Sequence, residues 1–271
     1  MSDAVIADSS TLALVDLIDE NLIEKSLSFP RVLRGEIHGP DPLWFMTGSA
    51  LPHYNGVVRA TFGPETVREG VEAVVKPFKE KGLPFIWWVG PLTAPRDLGT
   101  HLQAQGLTHN RDMIGMAAKL SALTEVPGPA ANVTFEPVCD RDQLALWYEV
   151  FLRGFPTSFD QAYLDALVAL SLRSDPAWFH YLGRLDGRVV TISSLFVGGG
   201  SAGLYNLATL PEARGLGLGA WMTQETFHQA RLMGHMIGTL QTTYPNALRL
   251  YHRLGFEVYC KIGIYQYVPK S

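Results

Sequence analysis

Between Tyr205 and Ala220 the chain reads Tyr-Asn-Leu-Ala-Thr-Leu-Pro-Glu-Ala-Arg-Gly-Leu-Gly-Leu-Gly-Ala. A strand-forming run stops at Pro211, because proline has no N–H to give to a ladder. Glycines then stand at 215, 217 and 219, and a run of helical length follows directly. Glycine admits left-handed backbone and lets a ligand approach with no Cβ in the way. The first N–H groups of a helix lack intrahelical acceptors and carry the positive end of its dipole. A phosphate docks there readily, and Arg214 adds a charge-assisted hydrogen bond. The segment therefore points to an α/β layer in which one strand delivers a helix N-terminus to an anion.

The pattern on either side agrees. Val133–Val138 reads as a strand, and Asp140–Leu152 as a helix with Asp140 at its N-cap. Phe159–Leu172 reads as a second helix opened by Asp160. Trp178–Leu185 and Arg188–Val197 flank the hairpin turn Asp186-Gly187, and Ala202–Ala208 is a third strand. Arg214–Met233 is a long helix, Met236–Gln241 a strand, and Pro245–Leu254 a short helix with Pro245 in its first turn and Gly255 at C′. Phe256–Val258 and Lys261–Val268 close the chain as strands. An antiparallel meander followed by βαβ makes a mixed α+β layer.

The first half repeats this order loosely. Thr11–Leu27 reads as a helix, Asp41–Thr47 and Gly56–Thr61 as strands, and Pro64–Lys81 as a helix. Phe85–Val89 is a buried strand, Pro95–Gln105 a helix and Asp112–Leu120 a strand. Between the halves, Glu125-Val-Pro-Gly-Pro-Ala-Ala-Asn132 has linker composition. The expected domains are 1–125 and 132–271, each of ordinary domain size within 271 residues.

With 47% hydrophobic and 18% charged residues, the chain can bury a core, and gross disorder is excluded. A net charge of −4 argues against a nucleic-acid-coating surface. Apolar runs such as Phe85–Val89 are strand-sized, so no membrane span is expected. Met1–Ser10 lacks the basic and apolar regions of a secretory signal, so the cytoplasm is the expected location. Cys139 and Cys260 are too few for a disulfide framework or a four-cysteine zinc site, and both read as buried apolar packing. His228, His235 and His252 show no metal-ligand spacing, so no metal is expected.

Three readings of the glycine turn compete. It is a connection without a ligand, a dinucleotide fingerprint, or a pyrophosphate cradle led by Arg214. Gly215, Gly217 and Ala220 fit G-x-G-x-x-G/A formally. That fingerprint wants its glycines straight after the strand and an acid about 20 residues on. Here Pro211–Arg214 intervenes, and the next strand ends in Gln241.

Led by Arg214, the turn resembles the GCN5-related N-acetyltransferase (GNAT) family. That family's signature Q/R-x-x-G-x-G/A is matched by Arg214, Gly217 and Gly219. Independently, Asn246-Ala-Leu-Arg-Leu-Tyr-His-Arg-Leu-Gly-Phe256 is similar to the family's late helix, A-x-x-L-Y-x-x-x-G-F. The resemblance covers residues 133–268. It implies a central mixed sheet flanked by helices, with acetyl-CoA as co-substrate. Arg214, Gly215, Leu216, Gly217, Leu218, Gly219 and Ala220 would hold the pyrophosphate. The pantetheine arm would lie along Leu207, Ala208 and Thr209, where this strand splays from Met236–Gln241. A backbone N–H there would polarise the thioester carbonyl.

The implied reaction is acetyl transfer by direct attack of an amine on a small molecule or peptide, with Tyr251 as general acid. Tyr251 also reads as an edge of the stripe Ala247, Leu250 and Leu254. Many relatives place an asparagine where this chain has Tyr244, and Asn246 is out of register, so that role is not transferred. Glu149, Asp160, His180 and Asn206 are candidates for a general base, each also readable as a structural group. A non-catalytic acyl-CoA sensor would keep the cradle and need no acid.

The first half has no Arg-x-x-Gly-x-Gly, and Glu65 stands where a phosphate would sit. It reads either as a degenerate copy of the same fold or as an unrelated α/β extension, and under either reading it is expected to shape the acceptor side. Trp44, Trp87 and Trp88 are candidates to line that side, and each reads more simply as buried core.

Overall fold

In a computed structural model of the protein, residues 9–129, 132–155, 161–172 and 177–269 are described. The first half runs α1 (Ser9–Val32), β1 (Glu36–His38), β2 (Leu43–Met46), β3 (Asn55–Arg59), α2 (Val67–Glu80), β4 (Phe85–Val89), α3 (Leu98–Ala104) and β5 (Thr108–Lys119). The second runs β6 (Val133–Pro137), α4 (Arg141–Gly154), α5 (Gln161–Ser171), β7 (Trp178–Leu185), β8 (Arg188–Gly198), β9 (Ser201–Thr209), α6 (Leu218–Leu232), β10 (Ile237–Thr242), α7 (Pro245–Arg253) and β11 (Glu257–Tyr267).

The eleven strands of the described residues make one mixed sheet in the order β1-β2-β3-β4-β11-β5-β10-β9-β8-β7-β6. Among the described strands, only β3–β4 and β9–β10 are parallel neighbours. The central pair, β11 and β5, consists of the last strand of each half, run antiparallel. Outward from that pair, β4-β3-β2-β1 on one side mirror β10-β9-β8-β7 on the other, with β6 added at the far edge. Each half thus repeats the order strand, long helix, parallel strand, short helix, strand. Each also lends its final strand to the other: β11 lies between β4 and β5, and β5 between β11 and β10.

The pleat sends alternate residues to opposite faces. On β7, Trp178 and His180 face the α1, α4 and α5 side, where the Trp147 ring lies tilted against His180 at 4.6 Å and Trp178 Nε1 donates to Ser28 Oγ at 3.1 Å. Tyr181 faces the other way, and its neighbour Phe135 meets Trp221 of α6. On β8 the Ser193 hydroxyl meets Thr226 of α6, while Ser194 meets His180. The main core spans both halves, from Phe29 and Met116 to Trp147, Phe227 and Phe256. The α2 and α3 helices cover a second core around Val71, Phe78 and Trp87.

Several boundaries differ from the sequence reading for identifiable reasons. The α6 helix begins at Leu218 rather than Arg214, because Gly215 (φ +82°) and Gly217 (φ +77°) take left-handed backbone that a helix cannot use. The two expected final strands are one, bulged between Val258 and Cys260. The α1 helix continues through Pro30 to Val32. Asp140 does cap α4, accepting from the Gln143 N–H at 2.8 Å, and Gln143 Oε1 reaches back to accept from the N–H of Cys139, the residue before the cap, at 2.7 Å. That places Cys139 in an exposed turn, so the expectation of burial fails for it and holds for Cys260. Asp160, residues 130 and 131 of the linker, and the start of the expected helix at 159 lie outside the described residues. Before the linker gap, the Thr124 N–H donates to Leu254 O and the Val126 N–H to Gln224 Oε1, tying this stretch to α7 and α6.

Candidate active site

The β9 and β10 strands pair only at Ala202–Leu204 against Gly238–Leu240. Beyond Leu204 they part, and the β10-facing edge of β9 from Tyr205 to Thr209 has no strand beside it among the described residues. A bulge marks the same place. The β8–β9 register shifts between Ile192/Ala208 and Ser194/Tyr205, with Asn206 in the left-handed region at φ +52°. Asparagine tolerates that conformation better than most residues. A bulge turns backbone groups out of the ladder, here toward the gap.

The gap holds a cleft of about 400 Å³. Tyr205, Asn206 and Leu207 line it from β9, Gln241 and Thr242 from β10, and Ala247 and Tyr251 from α7. The first half supplies Ile86 and Trp88 of β4 and Arg111 and Met113 of β5. Among the described residues Arg111 is the charged residue of this lining, and no carboxylate belongs to it. The strand exchange explains this composition, since β5 and β11 bring first-half residues beside β10.

Tyr251 is 7% exposed, against Phe256, and lines the cleft as well. Core edge and cleft wall are thus the same position. Burial raises the pKa of its hydroxyl well above the ordinary tyrosine value, so it stays protonated.

Ala208 and Thr209 carry β9 onward to the glycine turn. Arg214 Nε donates to Thr209 O at 3.1 Å, which anchors an otherwise exposed side chain. Among the described residues, the backbone N–H groups of Gly215, Leu216, Gly217, Leu218, Gly219 and Ala220 have no acceptor. A Cβ built on Gly215 or Gly217 would meet nothing within 4 Å, and one on Gly219 would meet only Leu250 of α7, at 3.4 Å. The turn is therefore an open cradle of donors, next to the helix that carries Tyr251. It suits a pyrophosphate in geometry and in charge.

The corresponding place in the first half is closed. The Thr66 and Val67 N–H groups both donate to Gly63 O, and the Gly63 N–H donates to Thr66 Oγ1. The gap between β3 and β4 is bridged at Thr61 and Ala94, with the Phe62 N–H on Ala94 O at 3.0 Å.

Of the other expected residues, Asn206 lines the cleft and its amide donates to Ser194 Oγ at 3.2 Å. His180 is buried at 1% exposure with Nδ1 2.7 Å from Ser194 Oγ, outside the cleft lining. Burial lowers its pKa to about 3, so it is neutral. Glu149 is exposed on α4, away from the cleft. Tyr244 lies at the cleft. Of the three tryptophans only Trp88 lines it: Trp87 is fully buried, and Trp44 stacks on His38 at 3.8 Å. The sequence reading missed Arg111, Met113 and Ile86, whose presence depends on the order of strands. Among the described residues no group of three or more His, Cys, Asp or Glu side chains is placed to hold a metal ion, and no helix is long and apolar enough to cross a membrane.

A family model described as an acetyltransferase (GNAT) domain matches residues 177–258, from the start of β7 into β11. A mycothiol acetyltransferase from Thermomonospora curvata is 32% identical over 195 residues, 68% of this chain and 63% of that protein. The matched segment thus spans less than two thirds of that relative's length. A GCN5-related N-acetyltransferase from Kribbella flavida superposes with a TM-score of 0.70, covering 92% of this chain and 95% of that one at 19% identity. A tandem GNAT protein from the clavulanic acid biosynthesis pathway gives 0.58 over 88% and 79% at 12% identity. These two share the fold across both halves, and with the family model set on the strands that carry the cleft and the cradle, the chain is a member of the GNAT acetyltransferase family.

Proposed function

We propose that the protein transfers an acetyl group from acetyl-CoA to an amine, by direct attack and without an acyl-enzyme. The observation that carries this reading is the run of unfilled N–H groups from Gly215 to Ala220, at the end of a strand edge that opens at Tyr205. Arg214 and the cradle would hold the pyrophosphate. Leu207, Ala208 and Thr209 offer a free strand edge to the peptide-like pantetheine arm. The bulge at Asn206–Leu207 turns a backbone N–H toward the carbonyl oxygen, where it stabilises developing negative charge.

The acceptor nitrogen attacks the thioester carbon, the C–N bond forms, and the C–S bond breaks. Tyr251 gives its proton to the departing sulfur. Among the described residues the lining holds no carboxylate, so the amine would arrive neutral and release its surplus proton to water. The free tyrosinate is reprotonated from solvent before the next turn.

The test is a panel of small amines with acetyl-CoA, following thiol release, beside a direct measurement of acetyl-CoA binding. Acetyl-CoA should bind, and at least one amine should release CoA in step with amide formation. Binding without release on any amine would replace this reading with the acyl-CoA sensor.

A further inference from the structure

A second, smaller cavity of about 140 Å³ adjoins the cleft and shares Trp88 and Asn206 with it. Phe29, Tyr54 and Trp178 complete its aromatic walls, and Lys25 of α1 supplies its cation. His53 is a further titratable side chain on its wall. Lys25, Phe29, His53 and Tyr54 come from the first half, and neither the family signature nor the expected cradle includes them.

The position of Lys25 is fixed rather than free. One turn earlier on α1, the fully buried Asn21 amide donates to Gly198 O at 2.9 Å and to Ser201 O at 3.1 Å, gripping the β8–β9 hairpin. Asn21 Oδ1 accepts from the Tyr205 hydroxyl at 2.8 Å. Lys25 Nζ then lies 5.4 Å from the centre of the same Tyr205 ring, a cation–π distance.

The acids nearest in sequence are engaged elsewhere. Glu24 Oε2 accepts from the Gly199 N–H at 2.9 Å, and Glu20 pairs with Arg59. Among the described residues no carboxylate lies within ion-pair distance of Lys25. Burial pulls its ammonium down to about 8, the direction expected of a sequestered charge with no counter-ion. An unpaired cation in an aromatic cavity costs stability until an anion arrives.

We propose that this cavity seats the acceptor, and that the acceptor is a small amine carrying a carboxylate, which Lys25 holds while the amine points past Asn206 into the cleft. The inference rests on the acetyltransferase reading. One cation with no arginine or helix N-terminus beside it matches a monoanion better than a phosphate, which wants several donors. At roughly 30 Å³ per water-sized group, the volume suits a body of about five non-hydrogen atoms.

The experiment compares matched probes: β-alanine with β-alaninamide, 4-aminobutyrate with 4-aminobutyramide, and L-leucine with L-leucinamide. Each is followed by CoA release at saturating acetyl-CoA. At least one carboxylate should exceed its amide about tenfold or more in kcat/KM. Lys25→Met should abolish that preference and Lys25→Arg should keep it, with acetyl-CoA affinity unchanged in both. That unchanged affinity, with an unchanged melting temperature, separates loss of recognition from loss of fold. Amides preferred or equal in the wild type, or a carboxylate preference that survives Lys25→Met, overturns the proposal. Binding of the three carboxylates to the CoA-saturated protein is measured in parallel by calorimetry. Carboxylate binding that needs Lys25, with no turnover of any amine, sinks the acetyltransferase reading and keeps the anion site. Absence of both binding and turnover overturns the site.

Discussion

The Tyr251 hydroxyl can serve as an acid only if it holds its proton until the sulfur departs. Burial against Phe256 ensures this by raising its pKa. A charged tyrosinate is disfavoured there until a stronger need, the leaving thiolate, takes the proton. Tyr251→Phe keeps the ring and its packing and removes only that proton. We expect kcat to fall about 100-fold, within the ~10²–10⁴-fold range of general acid catalysis. Acetyl-CoA affinity should stay within about twofold, and no ionisation of this residue should limit the rate below pH 9. Turnover kept at the wild-type level would remove Tyr251 from the chemistry. The α7 helix was legible in sequence from the proline at its start, its apolar stripe and Gly255 after its end, whereas Tyr251 was singled out on it by the resemblance to the GNAT late helix. Lys25 and Arg111 were not legible. Each is an ordinary surface residue type whose meaning comes from elements distant in the chain.

Among elements, those governed by local rules were read nearly to the residue. The Asp186-Gly187 hairpin, the β7 and β8 strands and the cap at Asp140 follow from turn chemistry, alternation and capping, which a sequence displays directly. What a sequence cannot display is which strand lies beside which. The role of α1 was lost for that reason. It reads simply as a helix, yet Asn21 is fully buried and bonds to Phe196 O, Gly198 O and Ser201 O as well as to the Tyr205 hydroxyl. Gly199 and Gly203 permit the approach, since a Cβ on either would lie within 2.5 Å of α1 atoms. Asn21→Ala would leave those carbonyls and the tyrosine hydroxyl without partners. At ~1–3 kcal/mol for each buried group left unsatisfied, less what relaxation recovers, we expect a loss of about 2–4 kcal/mol. Urea denaturation measures it. Because Tyr205 lines the cleft, the KM for the amine should rise as well. A stability change under about 0.5 kcal/mol would mean that α1 does not clamp the hairpin.

At the scale of the molecule, the two halves share one sheet through an exchange of final strands. The β11 strand has β4 on one edge and β5 on the other, so second-half backbone is bonded on both sides by the first half. Likewise β5 lies between β11 and β10 and is held on both sides by the second half. Removing either half would expose long unpaired edges in the centre of a sheet, which soluble proteins avoid. The Met116–Ala118 stretch of β5 also belongs to the interior of the protein, buried at 7% exposure or less. The linker composition at 125–132 therefore marks a place where the chain can be cut, and the strand exchange says what a cut should do. We expect a protein with a protease site inserted after Pro129 to be cleaved cleanly and yet to elute as one species at the size of the intact chain. It should unfold in a single transition, because neither piece can leave without breaking two ladders. Acetyl-CoA binding should persist, since Arg214 to Ala220 lies wholly in one piece and the cleft walls stay assembled. Two separate melting transitions, or two pieces that part on a column under native conditions, would instead mean that each half closes its own core and that the shared sheet adds little to holding the chain together.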